Sequence, residues 1–172
     1  INKFIFFLLS IKRKKVFKQS LLLKLKNSKR IMQNLIPKQE EEEKRLKALA
    51  EYRILGTKPE SCYDDITKIA ASTCDVPISL MTLVDRDKQW FKSKVGLEIQ
   101  ETPRDWSFCT HAIKQNSPLI IKDAFQDERF INNPLVKGDP KIRFYAGFPL
   151  RNQDGNKLGT LCVIDRKPGC LS

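Results

Sequence analysis

The segment Ser107-Phe-Cys-Thr-His111 holds a thiol two residues from the chain's single histidine. A cysteine acts as nucleophile or metal ligand through its thiolate, and a thiol in the first turn of a helix is acidified by the unpaired backbone N–H groups there. Ser107 has the side chain of a helix N-cap, which predicts a helix from Ser107 through Gln115 with Cys109 in its first turn. Cys109 and His111 then point about 200° apart around that helix, which disfavours a thiolate–imidazolium pair. The simpler reading is a buried thiol and a hydrogen-bonded imidazole. The other cysteines, Cys62, Cys74, Cys162 and Cys170, make an odd total of five with no C-x-x-C pair, and one histidine does not support a zinc site of the usual Cys/His spacing. Thiols in this pattern, without a convincing signal peptide, read as reduced and cytoplasmic.

Around that segment lie residues suited to a small-molecule pocket. Trp90, Phe91, Trp106, Phe108, Phe130, Tyr145 and Phe148 are candidate wall aromatics. Asp123, Asp127, Arg129, Asn133 and Arg143 are candidate polar contacts at its mouth. There is no P-loop and no G-x-G-x-x-G; Gly147, Gly155 and Gly159 are widely spaced and fit the needs of a hairpin, so a nucleotide-phosphate cradle is not indicated. No complete catalytic constellation emerges, and the expected role is binding rather than catalysis.

The elements that would position these residues form a mixed pattern. Pro37 to Leu55 reads as a helix with Glu40 to Glu43 in its early turns, Leu46, Leu49, Ala50 and Ile54 on one face, and Gly56 at its end. Thr57-Lys-Pro-Glu60 resembles a capping box for a second helix whose apolar stripe is Tyr63, Ile66, Ile69 and Ala70. Pro77 to Val84 and Gln89 to Val95 read as a hairpin around Asp85-Arg-Asp-Lys88. Gly96 to Asp105 reads as loop, Pro118 to Lys122 as a short strand, and Asp127 to Ile131 as one helical turn stopped by Asn132-Asn-Pro134. Arg143 to Arg151 and Lys157 to Asp165 form a last hairpin around Asp154-Gly155. This order predicts an α+β layered domain built on an antiparallel sheet.

Charge divides the chain. Of 172 residues, the first 31 contain ten Lys or Arg and no acid, and the remainder 22 basic and 20 acidic side chains. The net +12 is therefore concentrated in the extension, and the domain offers no basic footprint for nucleic acid. The apolar run Phe4-Ile-Phe-Phe-Leu-Leu9 is too short to span a bilayer. Residues 1–31 are expected to be a non-native or disordered extension ahead of a natural start at Met32, with membrane contact only if they are real.

From about Glu43 to Pro168 a series of short motifs occurs in order: Arg45-Leu-Lys-Ala-Leu49, Tyr52-Arg-Ile-Leu-Gly-Thr-Lys-Pro-Glu60, Val76-Pro-Ile-Ser-Leu80, Gln89-Trp-Phe-Lys-Ser93, Glu101-Thr-Pro-Arg-Asp105, Ser107-Phe-Cys-Thr-His-Ala-Ile113, Asp127-Glu-Arg-Phe130 and the final hairpin. In these the chain resembles the GAF domain found at the N-terminus of bacterial sensor histidine kinases and diguanylate cyclases. The resemblance implies a domain over residues 32–168, a six-stranded antiparallel sheet with helices on both faces, and a non-catalytic sensor that binds a small molecule. Kinase or cyclase activity would lie in an attached output domain, in a two-component or cyclic-dinucleotide system. It also implies a C-terminal helix, which the tail 169–172 lacks, and a homodimer through the first helix at Leu46, Leu49 and Leu55.

The site expected from this resemblance comprises Trp90, Phe108, Cys109, His111, Asp123, Asp127, Phe130, Tyr145 and Phe148, with no metal. Bilin-carrying relatives attach the chromophore through Cys followed directly by His, and Thr110 intervenes here, which argues against a bilin. Asp127-Glu128 is similar to part of a cyclic-nucleotide signature, so a cyclic nucleotide is an open alternative. Two other readings are an enzyme resembling free methionine sulfoxide reductase that uses Cys109, and a ligand-free dimerisation domain.

Overall fold

Every residue of Ile78-Ser-Leu-Met-Thr-Leu-Val84 is buried, as in a strand covered on both faces. This segment is β1 of a sheet completed by β2 (Lys88–Val95), β3 (Glu101–Pro103), β4 (Leu119–Ile121), β5 (Phe144–Arg151) and β6 (Lys157–Asp165). In this computed structural model, which describes residues 38–171, the six strands run antiparallel in the order β3-β2-β1-β6-β5-β4. The expectations for residues 1–31 and for Met32 lie outside the described residues. Residues 1–43 and 44–172 are two units, and the packing described here is that of the second.

Period-two alternation separates the sheet's faces. Ile78, Leu80 and Val84 of β1, Phe91 of β2, Tyr145 of β5, and Cys162 and Ile164 of β6 enter one core with α3 (Phe108–Ala112) and Val136 of α4 (Pro134–Lys137). Leu83, Trp90 and Leu158 form a second core with Ala48 and Leu49 of α1 (residues 38–51). Phe144, Ala146 and Val163 form a third, joined by Ala70, Cys74, Val76 and Leu171 beside α2 (Ser61–Thr73). Helices thus flank both faces, as expected.

Several local expectations are corrected. The first helix ends at residue 51, not at Leu55, because Arg53 takes a left-handed φ of 50° and turns the chain. Leu46 and Leu49, expected at a dimer surface, are buried within the chain, and Leu55 packs beside the α1 core. In α2 the buried residues are Thr67 and Ala71; of the expected stripe, Ala70 packs on the third core and Tyr63 is half-buried, whereas Ile66 and Ile69 are exposed. Thr67 tolerates burial because its hydroxyl contacts Ser93 Oγ at 2.7 Å and bonds the helix backbone. The expected loop after β2 contains β3 and a 3-10 turn at Arg104–Trp106. Asn133-Pro134 starts α4 rather than stopping a helix: the Asn133 side chain accepts from the Leu135 N–H at 2.9 Å, and proline suits the first position. The α3 helix is shorter than expected, ending at Ala112.

The capping box is also absent, and the reason is Lys92. The β1–β2 register shifts between Met81 and Thr82, pairing Met81 with Ser93 and Thr82 with Phe91. Lys92 is the extra residue of this bulge, so Lys92 and Ser93 both serve the helical face. The fully buried Lys92 ammonium donates to Thr57 Oγ1 at 2.7 Å, to the Lys58 carbonyl at 2.9 Å and to the Glu60 carboxylate. It also lies 5.2 Å from the Tyr63 ring centroid. Thr57 and Glu60 are therefore committed to the lysine, and α2 begins without a side-chain cap.

Glu60 is half exposed, so deleting it strands a buried ammonium, whereas deleting the lysine leaves a carboxylate that water can solvate. Glu60→Ala is expected to cost about 2 kcal/mol and Lys92→Met less than about 1 kcal/mol. Urea unfolding of the two variants checks this order; a larger loss for Lys92→Met would contradict it.

Candidate functional site

The core on the α3 side of the sheet is not filled completely. Leu80, Phe91, Phe108, Ile142 and Ile164, with Leu135 of α4 and Leu97, Ile99 and Pro140 from the covering loops, surround a cavity of about 30 Å³. That is room for about two water-sized molecules. Its polar lining consists of Gln89, Thr102, Ser107, Cys109 and Tyr145, and no Asp, Glu, Lys, Arg or His side chain reaches it.

The polar end is organised by α3. Ser107 caps this helix as expected, its Oγ accepting from the Thr110 N–H at 3.0 Å. The same hydroxyl donates to Gln89 Oε1. Gln89 and Phe91 share a strand face two residues apart, which places an amide beside an aromatic wall. Thr102 of β3 stands opposite Gln89 in the ladder. It is 5% exposed, and its hydroxyl has no hydrogen-bond partner in the protein. An unsatisfied buried hydroxyl is costly to leave unmade, and here it borders a cavity.

The other end is a thiol cluster. Cys109 Sγ accepts from the Tyr145 hydroxyl at 3.3 Å and lies 3.9 Å from Cys162 Sγ. Burial pushes the Cys109 thiol up, but hydrogen bonds from Cys162, Thr160, Thr82 and Tyr145 outweigh it and draw the thiol down to about 6. Cys162 moves the other way: its hydrogen bond to Cys109 and its burial raise it well above the ordinary thiol value. Burial, and then the neighbouring thiols, likewise raise Tyr145. Gly147 makes this cluster possible, since a Cβ there would lie 2.0 Å from the Tyr145 hydroxyl oxygen and 2.6 Å from its ring.

Three of the nine expected site residues line the cavity: Phe108, Cys109 and Tyr145. Phe130 stands behind them, stacked on Phe108 at 4.0 Å between centroids. His111 packs edge-on against Phe130 outside the lining; burial, then the charges of Lys114 and Arg129, lower its pKa. Trp90 belongs to the α1 face, and Phe148 borders an open apolar depression with Ile66 and Ile69 on the α2 face, because each has the opposite strand parity to Phe91 and Tyr145. Asp123 is closed onto Arg143 by bonds of 2.7 and 2.8 Å, and Asp127 onto Arg129 by bonds of 2.9 and 2.5 Å. Those guanidinium hydrogen bonds hold both carboxyls below their usual range. Neither carboxylate lines the cavity. Asn133 is used as the α4 cap and donates to the Trp106 carbonyl at 3.0 Å. The sequence reading missed Gln89, Thr102, Ser107 and Cys162; the parity of Gln89 with Phe91 was the available signal.

The family model of the GAF domain matches residues 58–170. The chain belongs to the GAF domain family. Its α+β fold is that of GAF domains, including the domain of a phosphoenolpyruvate-protein phosphotransferase from Acinetobacter (TM-score 0.51, 16% identity, 75% of this chain and 79% of that one). A type II free methionine-R-sulfoxide reductase from Thermoplasma acidophilum shares the fold at TM-score 0.54 and 15% identity, over 65% of this chain and 77% of that one. A relative much nearer in sequence is a cyclic di-GMP phosphodiesterase of Pseudomonas aeruginosa, 41% identical over 132 residues. The match covers 77% of this chain but 22% of that relative's length. Among the described residues no group of three His, Cys, Asp or Glu could hold a metal ion, and no helix is long and apolar enough to cross a membrane.

Gly147→Ala forces the buried Tyr145 ring off its position over the strand. The expected cost is about 2 kcal/mol, as for overpacking of a filled core. Thermal unfolding checks it, and a midpoint equal to that of the parent chain would contradict it.

Proposed function

We propose that this GAF domain is the sensory module of a bacterial-type signal-transduction protein, not itself catalytic, and that it binds a small uncharged molecule in the cavity beneath α3. The observation that carries the reading is the Thr102 hydroxyl, buried without a protein partner at the polar end of a mostly apolar cavity. A ligand with one hydrogen-bonding group and an apolar body would satisfy it. Ser107 and Gln89 lie at the same polar end. A lining with no cation, and with the acidified Cys109 thiol at one end, disfavours phosphate-bearing ligands, cyclic nucleotides among them, because desolvating a phosphate needs a cation or several aimed donors.

The Pseudomonas relative, a cyclic di-GMP phosphodiesterase, supports a setting in cyclic-dinucleotide signalling, with the chemistry carried by parts that this chain does not match. Signal transfer requires the ligand to bind two states of the domain unequally. Strand β2 is the shortest route: Gln89 and Phe91 face the cavity, and Trp90 and Lys92 lie under the helices. Admission of a metabolite requires the walls at Leu97 and Ile99 of the loop and Leu135 of α4 to part, which supplies the second state.

A thermal-shift panel tests this with small primary amides and alcohols, neutral indoles, amino acids, cyclic AMP, cyclic GMP, cyclic di-GMP and biliverdin. Uncharged small molecules should raise the midpoint, and Thr102→Val should remove most of the shift. Without ligand, that variant should match the parent or gain up to about 1 kcal/mol, since it relieves an unpaired hydroxyl. A shift with cyclic nucleotides alone, or none across the panel, overturns the reading. Reduction of free methionine sulfoxide with a thiol donor, lost in Cys109→Ser, would replace it with the enzymatic one.

A further inference from the structure

Cys109 and Cys162 are 53 residues apart in sequence and meet in the core, Sγ to Sγ at 3.9 Å. Both are at most 2% exposed, and both are free thiols. Their surroundings are unusual for inert core cysteines. The Tyr145 hydroxyl donates to Cys109 Sγ at 3.3 Å, and the Thr160 and Thr82 hydroxyls, 3.2 Å from one another, also favour the Cys109 thiolate. Hydroxyl donors converging on one sulfur favour its thiolate. Cys109, but not Cys162, lines the cavity. A space of about 30 Å³ holds a molecule of two or three heavy atoms and excludes larger ones unless the walls move.

We propose that Cys109 and Cys162 form a redox site in which a hydroperoxide of hydrogen-peroxide size, admitted to the cavity, oxidises the pair to a disulfide. The Cys109 thiolate attacks one peroxide oxygen; an S–O bond forms, the O–O bond breaks, and the second oxygen leaves as hydroxide, which takes up a proton to become water. Cys162 sulfur then attacks the Cys109 sulfenic acid; an S–S bond forms, the S–O bond breaks, and the departing oxygen leaves as water with the Cys162 proton. Two thiols lose two electrons and one hydroperoxide gains them, with two waters as products. The sulfurs must approach by about 2 Å to reach bonding distance, a movement within reach of side-chain rotation and a small shift of α3. The linkage would tie α3 to β6 and withdraw the Cys109 sulfur from the cavity wall, so oxidation would reshape the cavity. This site is independent of which metabolite the cavity binds.

The acidified thiol predicts an inverted order of reactivity. Cys62 and Cys170 are exposed and Cys109 is buried, yet Cys109 should oxidise first, on the order of ten-fold faster than either. The native chain is treated with limiting hydrogen peroxide under folding conditions, then unfolded in an alkylating agent and digested without reduction. The expected product is a linked pair of peptides containing Cys109 and Cys162, with Cys62, Cys74 and Cys170 alkylated. Cys162→Ser should instead accumulate a Cys109 sulfenic acid that a cyclic 1,3-dione traps, and Cys109→Ser should leave Cys162 unoxidised. Oxidation of Cys62 or Cys170 ahead of Cys109, or Cys109 oxidation in the native chain without the Cys162 link, would overturn the proposal. The native-chain digest decides the matter even where a variant fails to fold.

Discussion

Pairing of β1 with β6 sets Leu80 opposite Cys162, Thr82 opposite Thr160 and Ile78 opposite Ile164, and this register fixes what each face of the sheet presents. One face receives Leu80, Cys162 and Ile164, which meet α3 and enclose the cavity. The other receives Leu83 and Val163, which support the helices. A slip by one residue would exchange every inward side chain for its neighbour and dissolve both arrangements at once. Gly159 permits the close approach of the two strands, because a Cβ there would fall 1.8 Å from the Thr82 carbonyl oxygen. The Thr82–Thr160 hydroxyl contact, the position of Cys162 and the fit of Tyr145 over Gly147 all follow from that frame.

The two faces are separate in composition but not in mechanics. Strand β2 carries cavity residues and helix-supporting residues alternately, and its bulge adds Lys92 to the helical set. The ammonium of Lys92 holds the 57–60 connection between α1 and α2 by three hydrogen bonds. Phe91 and Gln89 on one face therefore share a backbone with Trp90 and Lys92 on the other. The ion pairs Asp123–Arg143 and Asp127–Arg129 do different work. They fix loop conformations at the protein surface, where such pairs contribute little stability.

The long strands were legible because each is a run of β-branched, aromatic and apolar residues between turn residues. β3 was not, because Glu101-Thr-Pro103 is three residues long, contains a proline, and is a strand only by pairing with β2. The α2 stripe misled because Ile66 and Ile69 are apolar yet face an open depression, while Thr67 is buried by virtue of its hydrogen bonds. At the site, Phe108, Cys109 and Tyr145 were legible from the helix cap and the final hairpin. Trp90 and Phe148 were misplaced because composition marks a residue as core but does not say which face it joins. Thr102 and Cys162 carry no local signal at all: one is a polar residue of a hidden strand, and the other meets its partner only through the sheet register.

The central claim is that the α3 side of the sheet, and not the apolar depression on the α2 side, is where this GAF domain meets its ligand. Backbone amide chemical shifts recorded during titration with a small uncharged binder test it most directly. The account requires the largest changes at Gln89, Thr102, Ser107 and Cys109, with smaller ones reaching Lys92 through β2. Changes centred on Ile66, Ile69 and Phe148, with the α3 side unmoved, would contradict it.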